Sequence, residues 1–242
     1  DNSLHYRDDY SVPLVIPEVN GELLADARQR NIVASPMCIV TELVTALKPI
    51  HDEAGVARVN LVSLQSVSGS GKSGIQALAG ETAHLLNGRP VEPSTYPAQI
   101  AFNLIPQIDS VMDNGATREE QRFEEEARRL LEDEQLLINA TCVRVPAFYG
   151  HSQVVHLETR YACSLDEIRA ALSRAPGLQV IEDEIVTPVT HGAGQDDVYL
   201  SRLRQDTTHE QGFNFWLVTD NTRKGGALNC VQIAEQLIRE QF

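Results

Sequence analysis

Basic residues are scarce in this 242-residue chain, where 20 Lys and Arg stand against 34 Asp and Glu, a formal charge of −14. So acidic a balance argues against a general nucleic-acid or anionic-membrane binder, since both need a basic face. No apolar run approaches the ~20 residues of a membrane span, and no secretory signal is visible. Cysteine is sparse too. Cys38, Cys142, Cys163 and Cys230 are scattered, form no CxxC pair and lack the density of a disulfide scaffold, so a reducing, cytoplasmic setting is expected. The histidines show neither HxxxH spacing nor a His/Cys cluster, which argues against a metal site. Repeats, low-complexity stretches and a Pro/Gly/Ser linker are all missing. An initiating Met is absent as well, and the opening Asp1-Asn2-Ser3 points to a fragment or a processed product.

What is present is an ordinary globular composition, 42% hydrophobic and 22% charged, long enough to bury a real core. The first ~35 residues read as extended Pro13–Pro17, a short helix near Glu22–Arg28 and a strand at Asn31–Ala34. Val40, Leu43, Val44 and Leu47 predict a helix after Pro36 that Lys48-Pro49 ends. Ala57–Ser66 alternates as a strand, a Gly/Ser stretch follows, and a helix is expected at Ser73–Leu86. Gln99–Ile105 reads as extended. Thr117 and Glu120 form a capping box for a charged helix running to about Glu132. Strands are then predicted at Leu136–Val145, Ser152–Thr159, Leu178–Ile181, Val198–Arg204 and Phe213–Thr219, with helices at Leu165–Ser173 and Gly226–Arg239. Strands outnumber helices and are joined both by helices and by direct links. The expected class is α+β, a mixed sheet with helices packed on it.

Cys38 is the first residue with chemical promise. It falls in the first turn of an amphipathic helix, where free backbone N–H groups and the helix dipole favour thiolate and lower the pKa. A small buried packing residue is the alternative. Cys142, Cys163 and Cys230 read as packing residues. In Ser68–Gly74 the Gly71-Lys72-Ser73 triplet is no P-loop, because the first glycine would fall on Ser66. GxGxxG is satisfied at Gly69, Gly71 and Gly74, but the acidic second strand of a dinucleotide fold is missing. The loop is either a site of exposed N–H groups or a plain strand-to-helix turn. Glu119 and Arg122, three apart, share a helix face, as a ligand-binding pair or a solvated one. Arg144 lies between Val143 and Val145 and calls for a carboxylate from protein or ligand. His151, at a strand mouth, is a structural group or, near a thiol, an acid or base.

Together these segments resemble the aspartate-semialdehyde dehydrogenase family over essentially the whole chain. The residues that carry the resemblance are Ser35-Pro36-Met37-Cys38, Leu64-Gln65-Ser66-Val67-Ser68-Gly69 and Ala101-Phe102-Asn103-Leu104-Ile105-Pro106-Gln107. Cys142-Val143-Arg144 with Gly150-His151-Ser152, and Asp220-Asn221-Thr222-Arg223-Lys224-Gly225, complete it.

The resemblance implies a catalytic, dimer-forming domain like the C-terminal domain of glyceraldehyde-3-phosphate dehydrogenases. Residues 1–35 would be a remnant of an N-terminal dinucleotide-binding domain, 36–220 the catalytic and dimerisation domain, and 221–242 a helix returning to the nucleotide domain. It implies NADP-dependent reduction of β-aspartyl phosphate to aspartate β-semialdehyde with release of phosphate, a step of lysine, threonine and methionine biosynthesis, in a homodimer. Cys38 would be the nucleophile of an acyl-thioester, His151 the acid/base group and Gln65 the residue orienting the substrate. Arg144 would grip the substrate α-carboxylate and Glu119 its ammonium. Arg7 and Arg122 would bind phosphate, and Ser68, Gly69 and Asn221 would touch NADP. Two positions depart from the pattern: Met37 replaces an Asn and Arg122 a Lys. The alternative they raise is a non-catalytic paralogue acting as a dimeric scaffold. A reductase of N-acetylglutamyl phosphate is disfavoured by Glu119, which has no use without a free ammonium.

Overall fold

The computed structural model describes residues 1–241. Helices α1 (Leu4–Arg7) and α2 (Pro17–Asn20) and a 3₁₀ segment at Gly21–Gln29 lead to the long helix α3 (Cys38–Ala54). Strand β1 (Val56–Gln65), a 3₁₀ turn at Val67–Ser70 and helices α4 (Gly71–Leu86) and α5 (Arg118–Leu130) follow. Then come β2 (Leu137–Arg144), β3 (His151–Thr159), α6 (Leu165–Arg174), β4 (Leu178–Ile181), β5 (Val198–Gln205), β6 (Gly212–Thr219) and α7 (Leu228–Gln241). The six strands form one sheet in the order β2-β1-β3-β6-β5-β4, parallel at β1/β2 and β4/β5 and antiparallel elsewhere. This is the expected α+β architecture with a mixed sheet.

One face of the sheet makes the main core. Val59 and Leu61 of β1, Val155 and Leu157 of β3, and Phe213, Phe215 and Leu217 of β6 bury against α3, which α5 and α6 flank. Helix α3 is buried on every side from Ile39 to Leu47, Thr41, Glu42 and Thr45 included, because it lies between these layers. The opposite face carries Arg58, exposed Val62, Thr141 and His156, with Trp216 partly covered where its Nε1 donates to the Val186 carbonyl. A smaller core of Val15, Leu24 and Ile233 joins the N-terminal segment to α7.

Three expected boundaries change. Pro49 does not end α3, because Ile50 and Ala54 still have core to fill; the helix stops at Gly55, whose φ of 62° only glycine adopts readily. Asn31–Ala34 is not a strand: Asn31 is left-handed at φ 54°, and only Ala34 pairs, in a single bridge to Leu14. Gln99–Ile105 likewise folds into a turn at Phe102, φ 59°, leaving one bridge from Ile105 to Arg144.

Candidate active site

Strand direction gathers the site. Because β1 and β2 are parallel, Gln65 and Arg144, paired in register, end at the same edge of the sheet. Antiparallel β3 begins there, with His151 opposite Thr219 of β6. Helix α3 precedes β1 through the Gly55 turn, so its N-terminus, with Cys38 as first residue, returns to that edge. A cleft of about 470 Å³ opens there, lined by Arg7, Met37, Cys38, Ser68, Gly69, Glu119, Arg122, Asn221 and Gly225, with Asp109 and Thr222. Gln65, Arg144 and His151 are buried behind this lining. The ten residues singled out from the sequence thus meet at one place.

Cys38 is the N1 residue of a helix whose N-cap, Met37, offers no side-chain cap. The expected low pKa is not what its surroundings produce. Burial first, then the charges of Glu119 and Glu42, push the thiol up to about 12, against the opposing Ile39 N–H and the Arg7 guanidinium. The helix N-terminus is one favourable term among stronger unfavourable ones. Gly225 presses on this residue, where a Cβ would come within 2.5 Å of the Cys38 Cβ. Cys142 is buried in β2 as expected, its thiol also raised by burial, and Cys163 packs partly against the core.

His151 is held neutral: burial and the Arg144 charge bring it down to about 3. Its Nδ1 lies 3.1 Å from the Ser66 N–H and 3.1 Å from the Ser66 hydroxyl. The backbone donor makes Nδ1 the acceptor, so Nε2 carries the proton. That Nε2 is buried without a hydrogen-bond partner among the described residues. Gly69 covers it. A Cβ there would meet Arg144 Nη1 at 2.8 Å and His151 Nε2 at 3.3 Å. Asn221 Oδ1 accepts from the Ser68 hydroxyl at 3.0 Å and the Gly150 N–H at 3.2 Å, fixing the turn that carries both groups.

The charged groups are arranged around the opening. Arg144 donates to the Ser66 carbonyl at 2.8 Å and makes no ion pair with a described residue; Tyr96 and Glu119 only attract it electrostatically. Glu119 accepts from Gln65 Nε2 at 3.4 Å, and burial raises its carboxyl pKa. Arg122 pairs with Asp109 at 3.1 Å, so the solvated-pair reading with Glu119 falls away. Arg7 donates through Nε to the Ser35 carbonyl at 2.7 Å and also to the Asn2 side chain. Such a set can hold a small zwitterion beside an anion and a thiol.

Ser66, Asp109, Glu126 and Gly225 neighbour these groups, and the sequence reading gave none of them a role. Gly225 ends a segment already singled out, and its missing side chain was the available signal. Ser66 likewise lies in such a segment, whereas Asp109, left-handed at φ 66°, has no local signature.

Residues 47–224 match the family described as semialdehyde dehydrogenase, dimerisation domain. The chain is 50% identical over its whole length to an aspartate-semialdehyde dehydrogenase of Shewanella sp. (strain DB6705), of which it spans 72%. The crystal structure of aspartate semialdehyde dehydrogenase II complexed with ASA from Vibrio cholerae superimposes with a TM-score of 0.97, at 48% identity, over all of this chain and 72% of that one. A Candida albicans enzyme solved with NADP shares the fold at 22% identity and a TM-score of 0.73, over 99% of this chain and 70% of that one. By sequence and by architecture, the chain belongs to the aspartate-semialdehyde dehydrogenase family.

Proposed function

We propose that this chain carries the acyl-transfer site of an NADP-dependent reductase that converts β-aspartyl phosphate to aspartate β-semialdehyde and releases phosphate. The observation that carries the reading is the convergence of a thiol, a carboxylate and two arginines on one cleft, with Arg144 and His151 directly behind it. Arg144, which has no ion pair of its own among the described residues, receives the substrate α-carboxylate bidentately, and Glu119, steadied by Gln65, receives the ammonium. Arg7 and Arg122 take the phosphoryl group. An ammonium at Glu119 offsets the carboxylate charge that, after burial, does most to keep Cys38 protonated, so substrate arrival eases release of the thiol proton to solvent. The thiolate then attacks the acyl carbon. The C–O bond to phosphate breaks, and phosphate leaves with the electron pair toward the two arginines.

NADPH, when bound, supplies the hydride that reduces the thioester. Ser68, Gly69 and Asn221 would hold its reactive end, and the absence of a side chain at Gly69, where a Cβ would come within 3.3 Å of His151 Nε2, would let it approach closely. His151, held neutral with its one proton on Nε2, donates a hydrogen bond to the oxygen that gains charge in the reduction. As a proton-transferring acid it must first gain a second proton, which burial and Arg144 oppose. Residues 36–220 are proposed as the catalytic and dimerisation domain, with 1–35 and 221–242 belonging to the nucleotide-binding side. The small core that joins the N-terminal segment to α7 supports that grouping. The homodimer is proposed to form through the sheet face opposite α3, where Val62 and Thr141 are exposed.

Acylation needs no nucleotide, so it tests the reading on this chain. Incubation with chemically prepared β-aspartyl phosphate should release phosphate and leave an aspartyl thioester, mapped by mass spectrometry to Cys38. Phosphate release without a Cys38 adduct, or no reaction at all, would sink it. The scaffold reading is favoured by one observation, the high thiol pKa beside apolar Met37. It predicts a dimer that never acylates.

A further inference from the structure

The head of α3 lacks what a helix start needs. Its N-cap is Met37, whose side chain caps no backbone N–H, and the N3 residue, Val40, cannot reach back to the Met37 N–H as a capping-box Glu would. Helix α5 shows the ordinary solution, with Glu120 accepting from the Thr117 N–H at 2.8 Å. At α3 the same bond is supplied from elsewhere: Glu126 Oε2, on α5, lies 2.7 Å from the Met37 nitrogen, 89 residues away in sequence. Met37 is the residue immediately before the thiol.

We propose that Glu126 is a positioning residue for Cys38, a capping group delivered from α5 that sets the backbone of the nucleophile and ties it to the phosphate-side arginines. Glu126 is only 5% exposed, and its second oxygen, Oε1, is buried with no partner among the described residues. A carboxyl in such a place is costly to keep for packing alone, where a Leu or Met would serve better. It also borders a second cavity of about 200 Å³ that includes Arg7, Tyr10, Arg122 and Arg129. Arg7 and Arg122 line the main cleft as well, so the cavity beside Glu126 and the cleft beside the thiol share these two cations. Arg129 does not compete for it, since its guanidinium is engaged with the carbonyls of Arg7 and Val12. Burial pushes the Glu126 carboxyl up to about 7, with Arg7 drawing it down, so its charge is responsive to that cation. The role rests on the proposed nucleophilic function of Cys38.

The test compares Glu126→Gln, Glu126→Ala and Glu126→Asp in the full 242-residue chain. Iodoacetamide labelling is followed separately at the four cysteines by peptide mapping, beside thioester formation from β-aspartyl phosphate. In Glu126→Ala the first turn of α3 loosens, so Cys38 should alkylate on the order of tenfold faster and acylate on the order of tenfold slower. Labelling of the other three thiols should stay within about twofold, which separates a local effect from general loosening. Glu126→Gln keeps an amide oxygen for the Met37 N–H and should restore both Cys38 rates. The proposal is overturned if Glu126→Ala labels Cys38 at the native rate, or if Glu126→Gln fails to rescue. Should Glu126→Ala not fold, Glu126→Asp decides: one methylene short, it must show the fast labelling, and a native rate refutes the idea. Failure of the native chain to acylate would refute the nucleophile reading, while the labelling comparison would still report on Glu126.

Discussion

Gly225 sits directly against Cys38: a methyl group on it would come within 2.5 Å of the Cys38 Cβ and 3.0 Å of its Cα. The second of these atoms is backbone, so a side-chain rotation cannot relieve the clash. Gly225→Ala must therefore move either the 223–227 turn or the head of α3. It should cost about 1–3 kcal/mol in urea unfolding and change the Cys38 labelling rate severalfold. An unchanged midpoint and rate would show that the contact is looser than the geometry gives.

Cys38 should be a slow thiol in the ligand-free chain, against the simple expectation for a helix N-terminus. With its thiol pushed up to about 12, brief iodoacetamide treatment at pH 7 should label Cys163 before Cys38. Glu119→Gln removes a charge that opposes the thiolate, so it should speed Cys38 labelling on the order of tenfold. Peptide mapping that finds Cys38 modified first in the native chain would reverse this conclusion.

Two buried groups make stability depend on pH with opposite signs. Glu42 has a folded pKa raised from 4.5 to about 8 by burial, so its contribution is full below 4.5 and lost as pH rises through 8. His151 is lowered from 6.5 to about 3 by burial and the Arg144 charge, so its contribution is full above 6.5 and lost as pH falls toward 3. Glu42→Gln should therefore gain a few kcal/mol relative to the native chain between pH 5 and pH 8. Chemical denaturation at the two pH values measures it, and an equal gap at both would contradict the assignment.

Arg144→Lys keeps the charge but loses the planar fork that reaches the Ser66 carbonyl at 2.8 Å and leaves other donors for a carboxylate. Aspartate semialdehyde should bind about tenfold or more weakly, with the fold intact by circular dichroism. Calorimetric titration giving native affinity would remove Arg144 from the substrate site.

Much of this arrangement was legible in residue order. Alternation in β1, the Thr117/Glu120 capping box and the apolar stripe of α3 are local patterns, and the elements they predict are present. Pro49 misled because the demand of the core for Ile50 and Ala54 outweighs one lost helical hydrogen bond. The ionisation of Cys38 was misread for a related reason. The helix effect is local, whereas burial and the charges of Glu119 and Glu42 come from separate elements or a turn away. Glu126 could not be found from sequence at all, since its partner is a backbone N–H 89 residues distant.

The place of β6 in the sheet has a consequence for how the chain is born. It is the last strand in sequence, yet it lies between β3 and β5 and hydrogen-bonds to both. While a ribosome is still making residues 212–219, the sheet exists as two unjoined pieces, β2-β1-β3 and β5-β4, each with an open edge. His151 then lacks its Thr219 neighbour, and the Asn221 turn that braces Ser68 has not been synthesised. Nascent chains should thus depend on chaperone cover until β6 has been made, and the cleft beside Cys38 takes its final shape only when that strand arrives.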